Sequence, residues 1–268
     1  MEQQVAEQIM KGMESPSFQP PIFPAVAQEA LQISKDPDLD LQTVATIIEK
    51  DSALAARFLS VGNSSLYRRG APATSVKASL ARMGLIAARD LLVFAAVEKS
   101  FFTSKQLGPA MKKLRNHTLA VSAGCAYLAQ YKRINADDAS LAGLVHDLGA
   151  SAVFKFVTDK ATQFKDLLAN ETSLNNVVAH LHCKAGAKIA ARWELPEPVL
   201  KVIADHHAGG NDPLLVLVAA ADELSAMCQM GASFDKVQKG ALADFLGGAD
   251  PEIVTDAFMM RLADIDAM

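Results

Sequence analysis

Residues 141–149 read Leu141-Ala-Gly-Leu-Val-His-Asp-Leu-Gly149, an apolar run that carries an imidazole and a carboxylate side by side, His146-Asp147. The apolar flanks drive this segment into a core, and a buried ionisable group is costly unless other groups partner it. The chain therefore has to fold so that further polar side chains converge on positions 146 and 147. The candidates are confined to one part of the sequence. All six histidines, His117, His146, His180, His182, His206 and His207, lie between positions 117 and 207.

The rest of the sequence supplies helices to carry them. Half of the residues are apolar, aromatics are sparse, and strand signals are nearly absent. The class is all-α, a two-lobed helical bundle. Val5, Ile9 and Met13 space a first helix over 4–13. A linker with prolines at 16, 20, 21 and 24 follows, and Pro24 opens a helix that Asp36-Pro37 ends. Asp40 and Asp51 are capping carboxylates for the next two helices. Gly62-Asn63 closes the second of these, both residues being tolerant of the left-handed conformation. Leu66–Ala73 is a basic loop, Thr74 or Ser75 starts another helix, and Gly84 is either a close helix contact or a break.

Gly108-Pro109 marks a boundary between a histidine-free lobe and a histidine-bearing one. Pro109 opens a long helix to about Tyr131, with His117 beside its apolar face. Asp137-Asp138 begins the helix that ends in His146-Asp147-Leu148-Gly149, where the apolar run meets a glycine. Ser173 caps a helix running to Trp193, on which His182, Gly186, Ile189 and Trp193 share one face. His180 points roughly 200° from His182, at ~100° per residue, so the two face different surroundings. Pro198 starts a helix that reaches His206-His207, and Pro213 opens one that places Asp222 next to its buried strip. The tail from Ser233 reads as two short helices split by Gly247-Gly248. The expected organisation is an N-terminal lobe over 1–108, a metal-binding lobe over 109–230 and a helical tail over 231–268.

Composition removes several function classes. The net charge of -4 gives no global electrostatic footprint for nucleic acid. Cys125, Cys183 and Cys228 are far apart and form no CxxC pair, so neither a disulfide framework nor a thiolate zinc site is indicated. No run approaches the ~18 apolar residues of a membrane span, and the N-terminus has no secretory pattern. A reducing cytoplasm is the simplest compartment.

His117, His146, Asp147, His182, His206, His207 and Asp222 come from five predicted helices, at helix ends or beside apolar faces. Seven such groups can partner one another through cations. Imidazole and carboxylate ligands suit Fe, Mn, Ni, Zn or Co. Five His and two Asp exceed the needs of one metal. If Asp147 bridges, two divalent ions ~3.5–4 Å apart become plausible, a spacing suited to hydrolysis at phosphorus.

The ordered series His117, His146-Asp147 and Asp222 (in Val-Ala-Ala-Ala-Asp222-Glu-Leu) resembles the HD superfamily of metal-dependent phosphohydrolases. The resemblance implies that these four residues hold a first metal and that Asp147 can bridge to a second. In the two-metal branches three further histidines are added, and His182, His206 and His207 match those positions. The chain as a whole resembles an HDOD protein, the HD-related output domain of bacterial signalling, over about residues 18 to 225. The resemblance rests on Phe23-Pro-Ala-Val26, Ile47-Ile-Glu-Lys-Asp51, Arg57-Phe-Leu-Ser-Val-Gly-Asn-Ser64, His182-Cys-Lys-Ala-Gly-Ala187, Trp193-Glu-Leu-Pro196 and His206-His207.

Two departures matter. Catalytic relatives often read His-Asp-Ile-Gly-Lys, whereas Ala150 stands here in place of the lysine. The histidine pair is followed by Ala-Gly-Gly rather than the Glu…Gly-Tyr-Pro run of cyclic-di-GMP phosphodiesterases. The resemblance implies a signal-transduction protein with a protein partner and an HD-like di-metal site. The alternative is an active phosphohydrolase that takes a phosphoester or nucleotide. No catalytic residue beyond the ligands is assigned, and neither nucleic acid nor membrane is an expected partner.

Overall fold

A computed structural model of the chain describes residues 2–15, 18, 28–31, 40–64, 67–68, 70–102, 107–234 and 237–262. Among these residues every regular element is a helix, as the spacing of apolar positions requires. The helices are α1 (Glu2–Glu14), α2 (Leu41–Ile48), α3 (Ser52–Gly62), α4 (Val76–Phe101), α5 (Gly108–Lys132), α6 (Ala136–Val145) and α7 (Leu148–Asp159). They continue with α8 (Lys165–Leu168), α9 (Glu171–Arg192), α10 (Glu197–Asp205), α11 (Pro213–Met227), α12 (Ala241–Leu246) and α13 (Pro251–Leu262). The proline-rich linker, the helix expected from Pro24, its stop at Asp36-Pro37 and the Phe23–Val26 motif lie outside the described residues or are only partly among them.

The chain divides into two compact units, one formed by Phe23–Glu98 with Asp256–Met268, the other by Met1–Ile22 with Lys99–Thr255. The sequence boundaries at 108 and 230 differ from this grouping at both ends. α1 belongs with the histidine-bearing helices because its apolar side, Ala6, Ile9, Met10 and Met13, is buried. Lys188 of α9 donates to Glu14 at 2.7 Å, and Asn176 donates to Glu2 at 3.3 Å. The first part of the tail is also packed: the Glu223 carboxylate of α11 accepts the backbone N–H groups of Gly240 and Leu242, each at 2.7 Å, and so fixes the start of α12.

In the Phe23–Glu98 unit the expected caps are in place. Asp40 accepts the Gln42 N–H, Asp51 accepts those of Ala53 and Leu54, and Ser75 accepts that of Ala78. Gly84 is a break, with φ +80° and ψ 165° inside α4. α3 does end at Gly62, but Asn63 is not left-handed, with φ -103°. Its side chain instead donates to the Ala73 carbonyl at 3.0 Å and accepts the Ala73 N–H at 2.6 Å. Gly62 is needed for contact, since a Cβ there would lie 2.6 Å from the Ser79 side chain.

In the other unit, small residues bring helix axes together. A Cβ on Gly143 of α6 would lie 2.8 Å from Cys125 Sγ and 2.9 Å from the Val121 carbonyl of α5. The contact between α7 and α9 is closer still and passes through Gly149 and Gly186. Gly149 therefore does not stop a helix, as an apolar run meeting a glycine suggests; it sits in the first turn of α7. The N-cap of α9 is Asn170, whose side chain accepts the Ser173 N–H at 3.0 Å, so the cap lies three residues before the expected Ser173. Residues Asp138–Asp159 form one stretch long and apolar enough to cross a membrane by length and composition, and 89% of its apolar window is buried within the protein.

Candidate metal centre

Six helices deliver the ionisable residues to one buried place. His117 lies in mid-α5, His146 and Asp147 form the corner between α6 and α7, and His182 lies in α9. His206 caps the C-terminus of α10, His207 follows it, and Asp222 lies in α11. His117, His146, Asp147, His182, His206 and Asp222 are all buried, while His207 is exposed. His180, as its helical angle requires, is on the exposed side of α9, beside Glu2 and Asn176.

A His-Asp pair at a helix end is ordinarily a cap. Asp147 occupies the N-cap position of α7 but makes no side-chain cap hydrogen bond. Its carboxylate lies between two pairs of imidazoles. Oδ2 is 3.5 Å from His117 Nε2 and 3.4 Å from His146 Nε2. Oδ1 is 3.6 Å from both His182 Nε2 and His206 Nε2. These distances exceed those of ordinary hydrogen bonds, and neither oxygen has a hydrogen-bond partner although both are buried.

The orientation of the rings is fixed from behind. His117 Nδ1 is 3.1 Å from the Met230 carbonyl, and His146 Nδ1 is 2.8 Å from that of Gly143. His182 Nδ1 is 3.1 Å from the Val178 carbonyl, and His206 Nδ1 is 3.0 Å from that of Val202. A carbonyl can only accept, so each Nδ1 carries the hydrogen and each neutral ring turns a bare Nε2 inward. This is the backing that orients metal-ligating histidines. His207 Nε2 lies 3.0 Å from His182 Nε2. The bare nitrogens of the four carbonyl-tied rings also face one another, 3.2 Å apart for His117 and His146 and 3.3 Å for His182 and His206. Lone pair against lone pair is repulsive, so a cation, either a proton or a metal ion, has to stand between them.

The donor atoms sort into two separate groups joined by a third. His117, His146 and Asp222 form one, with His117 Nε2 3.6 Å from Asp222 Oδ1. His182, Cys183, His206 and His207 form the other. His146, Asp147 and His206 also lie close enough to share an ion, and they link the two. All seven sequence-predicted residues are thus brought together. Cys183, set aside at the sequence level for want of a CxxC partner, joins them, its Sγ 3.3 Å from His182 Nε2. The available signal was its adjacency to His182.

Charge in the cluster is strongly coupled. Burial raises the Asp147 pKa, but the imidazoles of His146, His117, His206 and His182 outweigh it and hold the carboxyl well below its usual range. Burial lowers that of His206, but Asp147 and Cys183 outweigh it and hold it well above the ordinary value of 6.5. Burial likewise raises the Cys183 thiol, while His182 and His206 bring it down to about 6.

These shifts carry a sign. Stability gained from the raised His206 pKa is fully present below 6.5, the unfolded value, and is lost as pH rises through the raised folded value. The Asp147 contribution is present above 3.8 and is lost only as pH falls through its depressed folded value. Cys183 acts the other way: its thiol, held at about 6 against 9.0 unfolded, adds stability as pH rises between those values and so offsets the loss at His206 in metal-free protein. A divalent metal should stabilise the protein, and more so at higher pH, because it replaces protons on the imidazoles and the thiol. Urea unfolding at about pH 6 and about pH 8.5, with and without manganese, checks this. A metal effect equal at both pH values would contradict it.

A cavity of about 460 Å³ opens beside the second group, lined by Ala179, His182, His207, Ala208, Gly209, Phe234 and Gln238. No lysine or arginine is among the described residues that line it. Ala150, one residue past Gly149, is fully buried.

The comparisons with known proteins agree with this architecture. A crystal structure of a protein from Shewanella amazonensis SB2B, provisionally named a metal-dependent phosphohydrolase, superposes with a TM-score of 0.76 at 25% identity. It covers 99% of this chain and 98% of that one. An HDOD domain protein of unknown function from Geobacter sulfurreducens superposes at 0.72 with 24% identity, covering 98% and 96% of the two chains, a likeness of fold. An uncharacterised protein of Treponema pallidum (strain Nichols) is 22% identical over 247 residues, 88% of this chain. The chain spans 48% of that relative's length. The HDOD domain itself matches over residues 21–209, which includes six of the seven clustered His and Asp residues. With that match and this fold, the chain belongs to the HDOD family.

Proposed function

We propose that this HDOD protein is a bacterial signal-transduction protein whose histidine-bearing unit holds two divalent transition-metal ions (Fe, Mn, Ni or Zn). The ions serve structure or ligand sensing, and the output is contact with a partner protein. His117, His146, Asp222 and Asp147 Oδ2 would hold the inner ion; His182, His206, His207 and Asp147 Oδ1 would hold the outer one. The supporting observation is Asp147: a buried carboxylate with no hydrogen-bond partner, framed by four imidazoles whose other nitrogens are tied to carbonyls. The donor set fits the group, since neutral imidazoles and carboxylates are ligands for these metals.

The same surroundings weigh against phosphoester hydrolysis. Bound ions would supply positive charge to a phosphoryl oxygen, but a phosphate also needs side-chain cations or backbone donors around it. The buried Ala150 offers none, and the described lining of the 460 Å³ cavity contains no lysine or arginine. The second reading, a phosphohydrolase acting on a phosphoester or nucleotide, is favoured by one observation: this cavity opens directly onto His182 and His207.

The test is to load the purified protein with manganese or iron and assay phosphodiester and phosphomonoester panels beside Asp147→Ala. The expected result is bound metal without turnover. Turnover that disappears in a folded Asp147→Ala variant would favour the second reading.

A further inference from the structure

Cys183 stands at the outer position in a way that the His/Asp reading does not use. Its Sγ is 3.3 Å from His182 Nε2 and 3.8 Å from His206 Nδ1. One donor atom from each of His182, Cys183, His206 and His207 lies within 4.8 Å of the others. Bond lengths of roughly 2.0 Å for zinc–nitrogen and 2.3 Å for zinc–sulfur give tetrahedral edges of about 3.3 Å between nitrogens and about 3.5 Å between nitrogen and sulfur. The three edges that meet at His182 Nε2, 3.3 and 3.0 Å to nitrogen and 3.3 Å to sulfur, match those of a single ion's coordination shell. A second observation points to the same place. Asp147 Oδ1 is buried without a hydrogen-bond partner and faces His182 and His206 at 3.6 Å.

We propose that Cys183 is a thiolate ligand of the outer position, which makes that position a mixed sulfur–nitrogen site for a zinc-class ion and distinguishes it from the inner His/Asp position. The inference rests on the two-ion reading and sharpens it. Thiolate with imidazole selects zinc-class or other soft and borderline ions, whereas two imidazoles with carboxylates suit manganese or iron. The two positions thus take different metals. Sulfur also fills the shell. His182, Cys183, His206, His207 and Asp147 Oδ1 together leave no coordination position free, the arrangement of a structural rather than a hydrolytic ion.

Cobalt(II) reports on the ligand directly, because thiolate coordination gives a near-ultraviolet charge-transfer band that nitrogen and oxygen ligands do not give. Titrating the metal-free full chain with cobalt should produce this band, and Cys183→Ser should lose it while still binding cobalt at the inner position. On the unaltered protein, zinc should slow alkylation of Cys183 by iodoacetamide at least about tenfold, read by peptide mass spectrometry. Two bound cobalt ions without the band, a band unchanged in Cys183→Ser, or alkylation indifferent to zinc would each overturn the thiolate assignment and leave the two-ion reading standing. No cobalt bound at all would overturn both.

Discussion

Replacing Gly149 by alanine is expected to destabilise the protein by about 3 kcal/mol or more and to disable the metal centre with it. A Cβ at this position would lie 1.8 Å from the His182 carbonyl oxygen, 2.7 Å from its carbonyl carbon and 2.4 Å from the Gly186 nitrogen. All three are backbone atoms of α9 and cannot rotate away. Relief requires α7 and α9 to separate, which carries Asp147, two residues before Gly149, away from His182. Gly108→Ala is the control, since a Cβ there meets no atom within 4 Å; its effect should stay within about 0.5 kcal/mol. Denaturant unfolding gives the stability difference and elemental analysis the metal content. A Gly149→Ala protein with native stability and full metal content would contradict the packing account.

Much of this was legible in the sequence because it depends on local chemistry. The helical class follows from periodicity, the Asp40 and Asp51 caps follow from short carboxylates ahead of apolar runs, and His180 was separable from His182 by helical angle alone. Convergence of His117, His146-Asp147, His182, His206-His207 and Asp222 was an inference from the cost of burying them singly, and from resemblance. What the sequence did not disclose depends on tertiary contact. Asn63 looked like a left-handed stop, but its amide is engaged by Ala73, ten residues away. Gly149 looked like a terminator, but its role is set by α9, a helix it meets only after folding. Asn170 and Ser173 are both good caps, and the choice between them rests on where α9 must begin. Cys183 was discounted because cysteine spacing along the chain is silent about histidines that arrive from α10.

The second large effect is expected at Asp147. Exchanging its carboxylate for an amide keeps the shape but removes the charge that both histidine pairs face, at 3.4–3.6 Å from four imidazole nitrogens. Asp147→Asn should weaken binding at both positions by about 100-fold or more, beyond what loss of an outer-shell partner usually costs. At metal concentrations near 100 times the native Kd, the stabilisation forfeited is about 2.3 kcal/mol per ion for a 100-fold loss. Asp222→Asn should affect only the inner position, because Asp222 lies with His117 and His146 and belongs to neither of the other groups.

The most direct test is the metal content of the full chain, purified without chelator and measured by elemental analysis beside Asp147→Asn and Asp222→Asn. The account predicts two ions per chain in the native protein, one in Asp222→Asn and none retained through gel filtration in Asp147→Asn. A native protein that holds no metal under any loading condition, or an Asp147→Asn protein that keeps both ions, would contradict it.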